Sequence, residues 1–261
     1  MSVDVETEEP AADVGTTVAA LRRRLAEMSG GPPEPGGPGP GVLPVPPVIA
    51  SVLPRRGLVR GGVVSVSGAA TVLIAILAEV TASGGTVALV GLPQVNLSAA
   101  ADLGADLRRV AVVSEPGVDR LEVAGVLLDG IDLVVVAAGA DQVPPARARV
   151  LAGRARKQSS TLMAVTAPGR QPWPGAAVRI ESEVDGYRHL PVRRSGYGRI
   201  GGYGMKIKVS GSGISPRAVR CDLVVPAMGE PGRLELAAPI ATSAGDEQRA
   251  AGAGARLAVA N

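Results

Sequence analysis

A chain of 261 residues has the length for one sizeable core with tails; it is 46% hydrophobic yet has no Phe and only 2% aromatic residues, so Ala, Val and Leu must build the interior. A single cysteine, Cys221, excludes an internal disulfide framework and a multi-cysteine zinc site, and a single histidine, His189, excludes a multi-histidine metal cluster. The net charge of +3 hides an acidic start and a strongly basic second half.

Residues 1–15 carry five acids and no base, which fits a disordered acidic segment and not a signal peptide, so a cytoplasmic protein is expected. Residues 16–30 read as an amphipathic helix that Thr16 or Thr17 can cap and Gly30 can end. Val18, Leu21, Leu25 and Met28 form its stripe, and Arg22, Arg23 and Arg24 face the other way. Residues 31–47, "GPPEPGGPGPGVLPVPP", read as a Pro/Gly linker without capacity for a core. The helix is therefore tethered, and Leu21 and Leu25 are candidates for docking on its own domain, a sister copy or a partner.

The core is expected from 48 to 226. "VIASVLP" reads as a short helix ending at Pro54, "GLVRGG" as a turn, and "VVSVSG" as a strand. "AATVLIAILAEVTASGG" is a helix apolar on nearly every side and closed by Gly84 and Gly85, so it should be buried. The uncharged run 61–78 is thus a strand and a buried helix, not a membrane span. "TVALVGL", "VAVVSEP", "IDLVVVAAG" and "TLMAVTAP" read as strands. They alternate with helices over "SAAADLGADLRR" (with Ser98 as its cap), "DRLEVAGVLLDG" and "PARARVLAGRARKQSS". Continuous apolar strands alternating with helices predict an α/β fold whose parallel sheet is covered on both faces. After Pro168, "AAVRIESEV", "GMKIKVSG" and "AVRCDLVVP" alternate with period two and predict antiparallel strands added at the C-terminal end. "DGYRHLPVRRSGYGRIGGYG" is expected to be a loop between the first two. Residues 227–261 read as a disordered tail, except that "RLAVA" has the pattern of a docking peptide.

A phosphate-binding loop needs G-x-x-x-x-G-K-[ST], whose backbone N–H groups wrap the phosphates while the lysine and hydroxyl serve charge and magnesium. Gly68 stands where the first glycine belongs, but the next is Gly84, with no basic residue between. Ala69 and Ala70 follow Gly68 directly, so the strand should turn almost at once into the helix, and Thr71 is expected only to cap it. Ala137 follows "DLVVV" where a magnesium-linked aspartate would stand, and Gly91, Leu92 and Pro93 occupy the place of a water-activating glutamate. No metal, cofactor or catalytic residue is therefore expected.

"RGLVRGGVVSVSG…VTASGGTVALVGLP…AADLGADLRRVAVVSEPG…GIDLVVVAAG" resembles the RecA core in order and spacing. "LLDGIDLVVV", "ARARVLAGRARK", "WPGA" (173–176), "GYGRIGGYG" and "DLVVP" are similar to motifs of the actinobacterial RecA-like accessory proteins of the ImuA-prime type. The resemblance implies a damage-inducible SOS adaptor for translesion mutagenesis that is nucleoid-associated when recruited. Its implied partner is an inactive Y-family polymerase homologue, and through it a replicative-type error-prone polymerase; no membrane partner is implied.

From Gln142 to Cys221, fifteen Arg and Lys face three acids, Glu181, Glu183 and Asp185. Arg147, Arg149, Arg154 and Arg156 on one helix, with Arg193, Arg194, Arg199, Lys206 and Lys208 beyond it, are candidates for single-stranded DNA. Tyr197 and Tyr203 are candidates to stack on bases. A solvated basic face, or a docking face for an acidic partner, fits the same composition. Trp173, between two prolines, is a candidate turn anchor or partner contact. Two other functions stay open: an ATPase in which Arg60 replaces the missing lysine, and a damage-induced division inhibitor.

Overall fold

The structure is a computed structural model and describes residues 41–139, 143–190, 199–224 and 234–238. All of these belong to the unit Pro38–Asn261. The tethered helix, with Leu21 and Leu25, lies outside the described residues, as do Arg193, Arg194 and Tyr197.

The parallel strands are β3 (Val63–Gly68), β4 (Val87–Val90), β5 (Val110–Val113), β6 (Leu133–Ala137) and β7 (Thr161–Thr166). The C-terminal strands are β8 (Val178–Leu190), β9 (Arg199–Gly211), β10 (Ile214–Val224) and β11 (Glu235–Ala237). Among the described residues they form one nine-stranded sheet, in the order β11-β10-β9-β8-β3-β7-β6-β4-β5. β8 runs parallel to β3, and the pairs β8–β9, β9–β10 and β10–β11 are antiparallel.

Helices cover both faces of the parallel part, which is why its central strands are apolar throughout. On one face lies α2 (Ala70–Ala82), where Val72, Leu73, Ile76, Leu77 and Val80 are at most 3% exposed. They pack on Val64, Val66, Leu89, Val135 and Met163 and, further along the sheet, on Ile180, Met205 and Ile207. Each Val or Leu so buried contributes about 1.5–3 kcal/mol over leaving it in water. On the other face α4 (Arg120–Leu127) and α5 (Pro145–Gln158) bring Leu121, Ala124, Ala148, Leu151 and Ala155 against Val134, Val136, Leu162 and Ala164. The helical spacing of Ala148, Leu151 and Ala155 makes the buried stripe of α5 and leaves its arginines outside.

Several local expectations are corrected. The linker reading of 31–47 fails at its end: β1 (Val42–Leu43) pairs antiparallel with β2 (Leu58–Val59), and Leu43 and Val45 are buried in the core. Leu58 and Val59, expected in a turn, supply the other strand of this ribbon. Gly57 permits the pairing, because a Cβ there would stand 2.5 Å from the Leu43 carbonyl oxygen. The helix expected to reach Pro54 is only α1 (Pro47–Ala50), with Pro47 suited to its first turn. In place of one helix over 98–109 stands α3 (Leu97–Asp102), capped by Asn96 instead of Ser98, followed by a 3-10 turn. Residues 185–190 and 199–204 of the expected Gly/Arg/Tyr loop continue β8 and β9. Within the expected C-terminal tail, Leu236 pairs with Leu223 and extends the sheet.

Candidate functional site at the carboxyl edge of the sheet

Ligands of open α/β sheets bind outside the carboxyl ends of the parallel strands, where Gly68, Gly91 and Ala137 lie. β3 ends at Gly68 and α2 begins at Ala70, so Ala69 alone connects them. Gly68 has φ +98°, and a Cβ on it would stand 1.7 Å from the Ser182 carbonyl oxygen of β8. That same oxygen accepts the Ala69 N–H at 3.3 Å. The Ser182 hydroxyl donates to the carbonyls of Ser67 and Ala69, at 3.2 and 3.4 Å. Main chain and a serine of β8 thus fill the space beside the helix start.

Thr71 does not cap α2, contrary to expectation: the residue in the capping position is Ala69, and Thr71 lies one residue inside the helix. Its hydroxyl is hydrogen-bonded instead to the Tyr203 phenol of β9. Tyr203 is half-buried, packs against the core, and has its ring centroid 6.2 Å from that of exposed Tyr187. Its hydroxyl is thus committed to the fold.

Further along this edge, Pro93 is exposed and Ala137 half-buried. Gly139, with φ +79°, lies so close to the Arg120 guanidinium that a Cβ there would stand 2.0 Å from Nη2. Arg120 was not legible as a site residue, although a cation at the first position of a helix opposes the helix dipole and so marks a local conflict. Ser182 carries no signal in the sequence at all, since its role depends on register with β3.

Arg60 lies at the opposite, amino edge and does not fit the place of the missing lysine. The six-residue β3 separates it from Gly68, about 20 Å of strand. Arg60 pairs with Asp132, which also accepts the Thr86 N–H and hydroxyl at 2.9 Å each. Burial pushes the Asp132 carboxyl up, but Arg60 and Thr86 together outweigh it and hold the group below its ordinary value.

Among the described candidate DNA-binding residues, two arginines of α5 are engaged in ion pairs. Arg147 pairs with Asp119, and Arg154 forms a bidentate pair with Asp129 at 2.9 and 2.6 Å. Arg154, with Gln158, lowers the Asp129 carboxyl to about 2. These two arginines fasten α5 to the two ends of α4. Arg149 and Arg156 are exposed, without a partner among the described residues. Lys206 and Lys208 stand opposite Glu183 and Glu181 across the β8–β9 pair, so their face carries mixed charge. Lys208 Nζ also lies 3.8 Å from Glu183, and Arg220 lies 3.3 Å from Asp185. Arg199 begins β9. Trp173 is 2% exposed in the core beside α5, which corrects its reading as a partner contact. Cys221 is buried on β10, and burial, with Asp222 and Asp185, pushes its thiol up to about 11.

Among the described residues no group of His, Cys, Asp and Glu is placed to hold a metal ion, and no helix is long and apolar enough to cross a membrane. The crystal structure of the RadB recombinase matches with a TM-score of 0.50 over 68% of this chain and 93% of that one. At 14% identity this likeness is one of fold, and it places the sheet and its helices in the RecA-like class. Residues 51–175 match the family model described as the MT3502 N-terminal domain. The uncharacterized protein Rv3395c of Mycobacterium tuberculosis is 39% identical over 202 residues, spanning 74% of this chain and 90% of that protein. This chain belongs to the same family as Rv3395c.

Proposed function

We propose that this RecA-fold chain works by binding and not by hydrolysing ATP, as an adaptor in DNA-damage tolerance. The observation that carries the first part is the seal at the β3–α2 turn. A nucleotide phosphate needs free N–H groups at the helix start, and there the Ser182 oxygen takes the Ala69 N–H. The residues present do not fit Mg-ATP: no lysine among Lys157, Lys206 and Lys208 lies at this turn, and Gly91 and Ala137 end the strands where carboxylates would be needed.

The finer reading, support of translesion synthesis through an inactive Y-family polymerase homologue, rests on the ordered resemblance from "LVRGGVVSVSG" to "DLVVP". Direct contact with single-stranded DNA draws on Arg149 and Arg156, the exposed arginines of α5 without a partner among the described residues. Few phosphate contacts give weak, salt-sensitive binding, with a slope of about 0.7 per phosphate. Recruitment by the polymerase homologue therefore carries most of the affinity.

The test is co-purification with the polymerase homologue from the same genome, at about 150 and about 500 mM salt, the second roughly halving the screening length. A complex surviving both salts is the expected result. No complex at either salt overturns the adaptor reading.

A further inference from the structure

A groove of about 580 Å³ lies away from the carboxyl edge. α1 and α2 form one wall through Pro47, Val48 and Ala75, Leu103 closes one end, and Val219 of β10 and Leu236 of β11 form the other wall. Most of its lining is apolar, with Glu79 and Glu235 among the few polar groups. β11 is the outermost strand of the sheet, paired on one side with β10; on the other, Leu234 just before it gives its N–H to the Asp102 carbonyl, and Glu235–Ala237 pair with no strand among the described residues. An open strand edge beside an apolar groove is a template for one more strand.

The described chain ends in the wall of this groove, at Ala238. Beyond it the sequence runs through "PIATSAGDEQRAAGAGA", mostly small and polar, before reaching "RLAVA" at 256–260. That run alternates with period two, Leu257 and Val259 falling on one face of a strand and Arg256, Ala258 and Ala260 on the other. Added beside β11, it sets Leu257 and Val259 on the face of buried Leu236 and Arg256 on the face of Glu235, its charge opposite. The seventeen residues from Pro239 to Ala255, taken as a flexible connection, span on average about 20–25 Å, enough to fold back.

We propose that residues Arg256–Ala260 of the same chain add as an outer strand to β11, with Leu257 and Val259 seated in this groove. Docking within one chain is favoured by an effective concentration in the millimolar range.

The test is hydrogen exchange on the full chain, read at Leu234–Ala238 and Val219–Cys221. The double variant Leu257→Asp/Val259→Asp should speed exchange there about tenfold or more, the loss of roughly 1.4 kcal/mol of local protection. Ala258→Ser, on the opposite face, should leave it unchanged. Both variants alter residues about twenty positions beyond β11 in the sequence, and the main melting transition reports that the fold persists. Unchanged exchange in the double variant overturns the proposal. Protection that falls on hundredfold dilution of the wild type also overturns it, by assigning the strand to a second copy.

Discussion

At the amino edge of the parallel strands, Arg60, Asp132 and Thr86 meet as side chains, and a charge is answered by a charge. At the carboxyl edge of the same sheet, the turn from β3 into α2 is closed by backbone: Ser182 oxygen on Ala69 N–H, Ser182 hydroxyl on two carbonyls. In an α/β fold that binds ligands, polar side chains gather at the carboxyl edge. Here the β3–α2 turn, where a phosphate would sit, gives its Ala69 N–H to the Ser182 oxygen, while the Arg60–Asp132 pair stands at the amino edge, where it can only stabilise. A fold can thus keep its strand order while the positions that would hold a ligand are turned to internal packing.

The contrast makes graded predictions. Gly68→Ala should have the largest effect, a loss of about 3–5 kcal/mol in denaturant unfolding. The new Cβ would meet backbone at 1.7 Å in a left-handed conformation, and backbone cannot swing aside as a side chain can. A loss under about 1 kcal/mol would mean that β8 does not seal the turn.

At the other edge, Asp132→Ala should cost about 1–3 kcal/mol, since it strips partners from Arg60 and Thr86. The folded Asp132 carboxyl lies below its usual 3.8, so its contribution is present above that value and is lost as pH falls through the folded-state value. The wild type should therefore lose stability on acidification below about pH 4, and the variant should lack that share of the loss. Parallel acid-unfolding curves for the two would contradict this account.

Tyr203→Phe removes only the hydrogen bond to Thr71 at the carboxyl edge and should cost about 1 kcal/mol by thermal unfolding. Arg154→Ala, at an exposed pair, should have the smallest effect on the thermal midpoint, and least at high salt.

The sequence exposed the architecture because that is written in local patterns. Apolar runs such as "TVALVGL" and "DLVVV" can only be covered strands, and the absence of a basic residue between Gly68 and Gly84 already implies the direct turn into α2. The contacts that decide the candidate site are not local. Ser182 lies 113 residues from Ala69 and Tyr203 lies 132 from Thr71, so neither partner has a signature of its own. The ion pairs of the basic half were hidden in the sequence for the same reason. Arg147 and Arg154 look free along the helix, but Asp119 and Asp129 meet them from 28 and 25 residues away. Trp173 looked available because prolines flank it, while its 2% exposure follows from three-dimensional packing that no window of sequence contains.

The most direct measurement is thermal unfolding with and without about 1 mM Mg-ATP, supported by titration calorimetry. An absence of any shift, with no heat of binding, is the predicted result. A site with a dissociation constant near 10 μM would instead add about 2.7 kcal/mol and raise the midpoint by about 5–10 °C. That rise would contradict a β3–α2 turn sealed by Ser182.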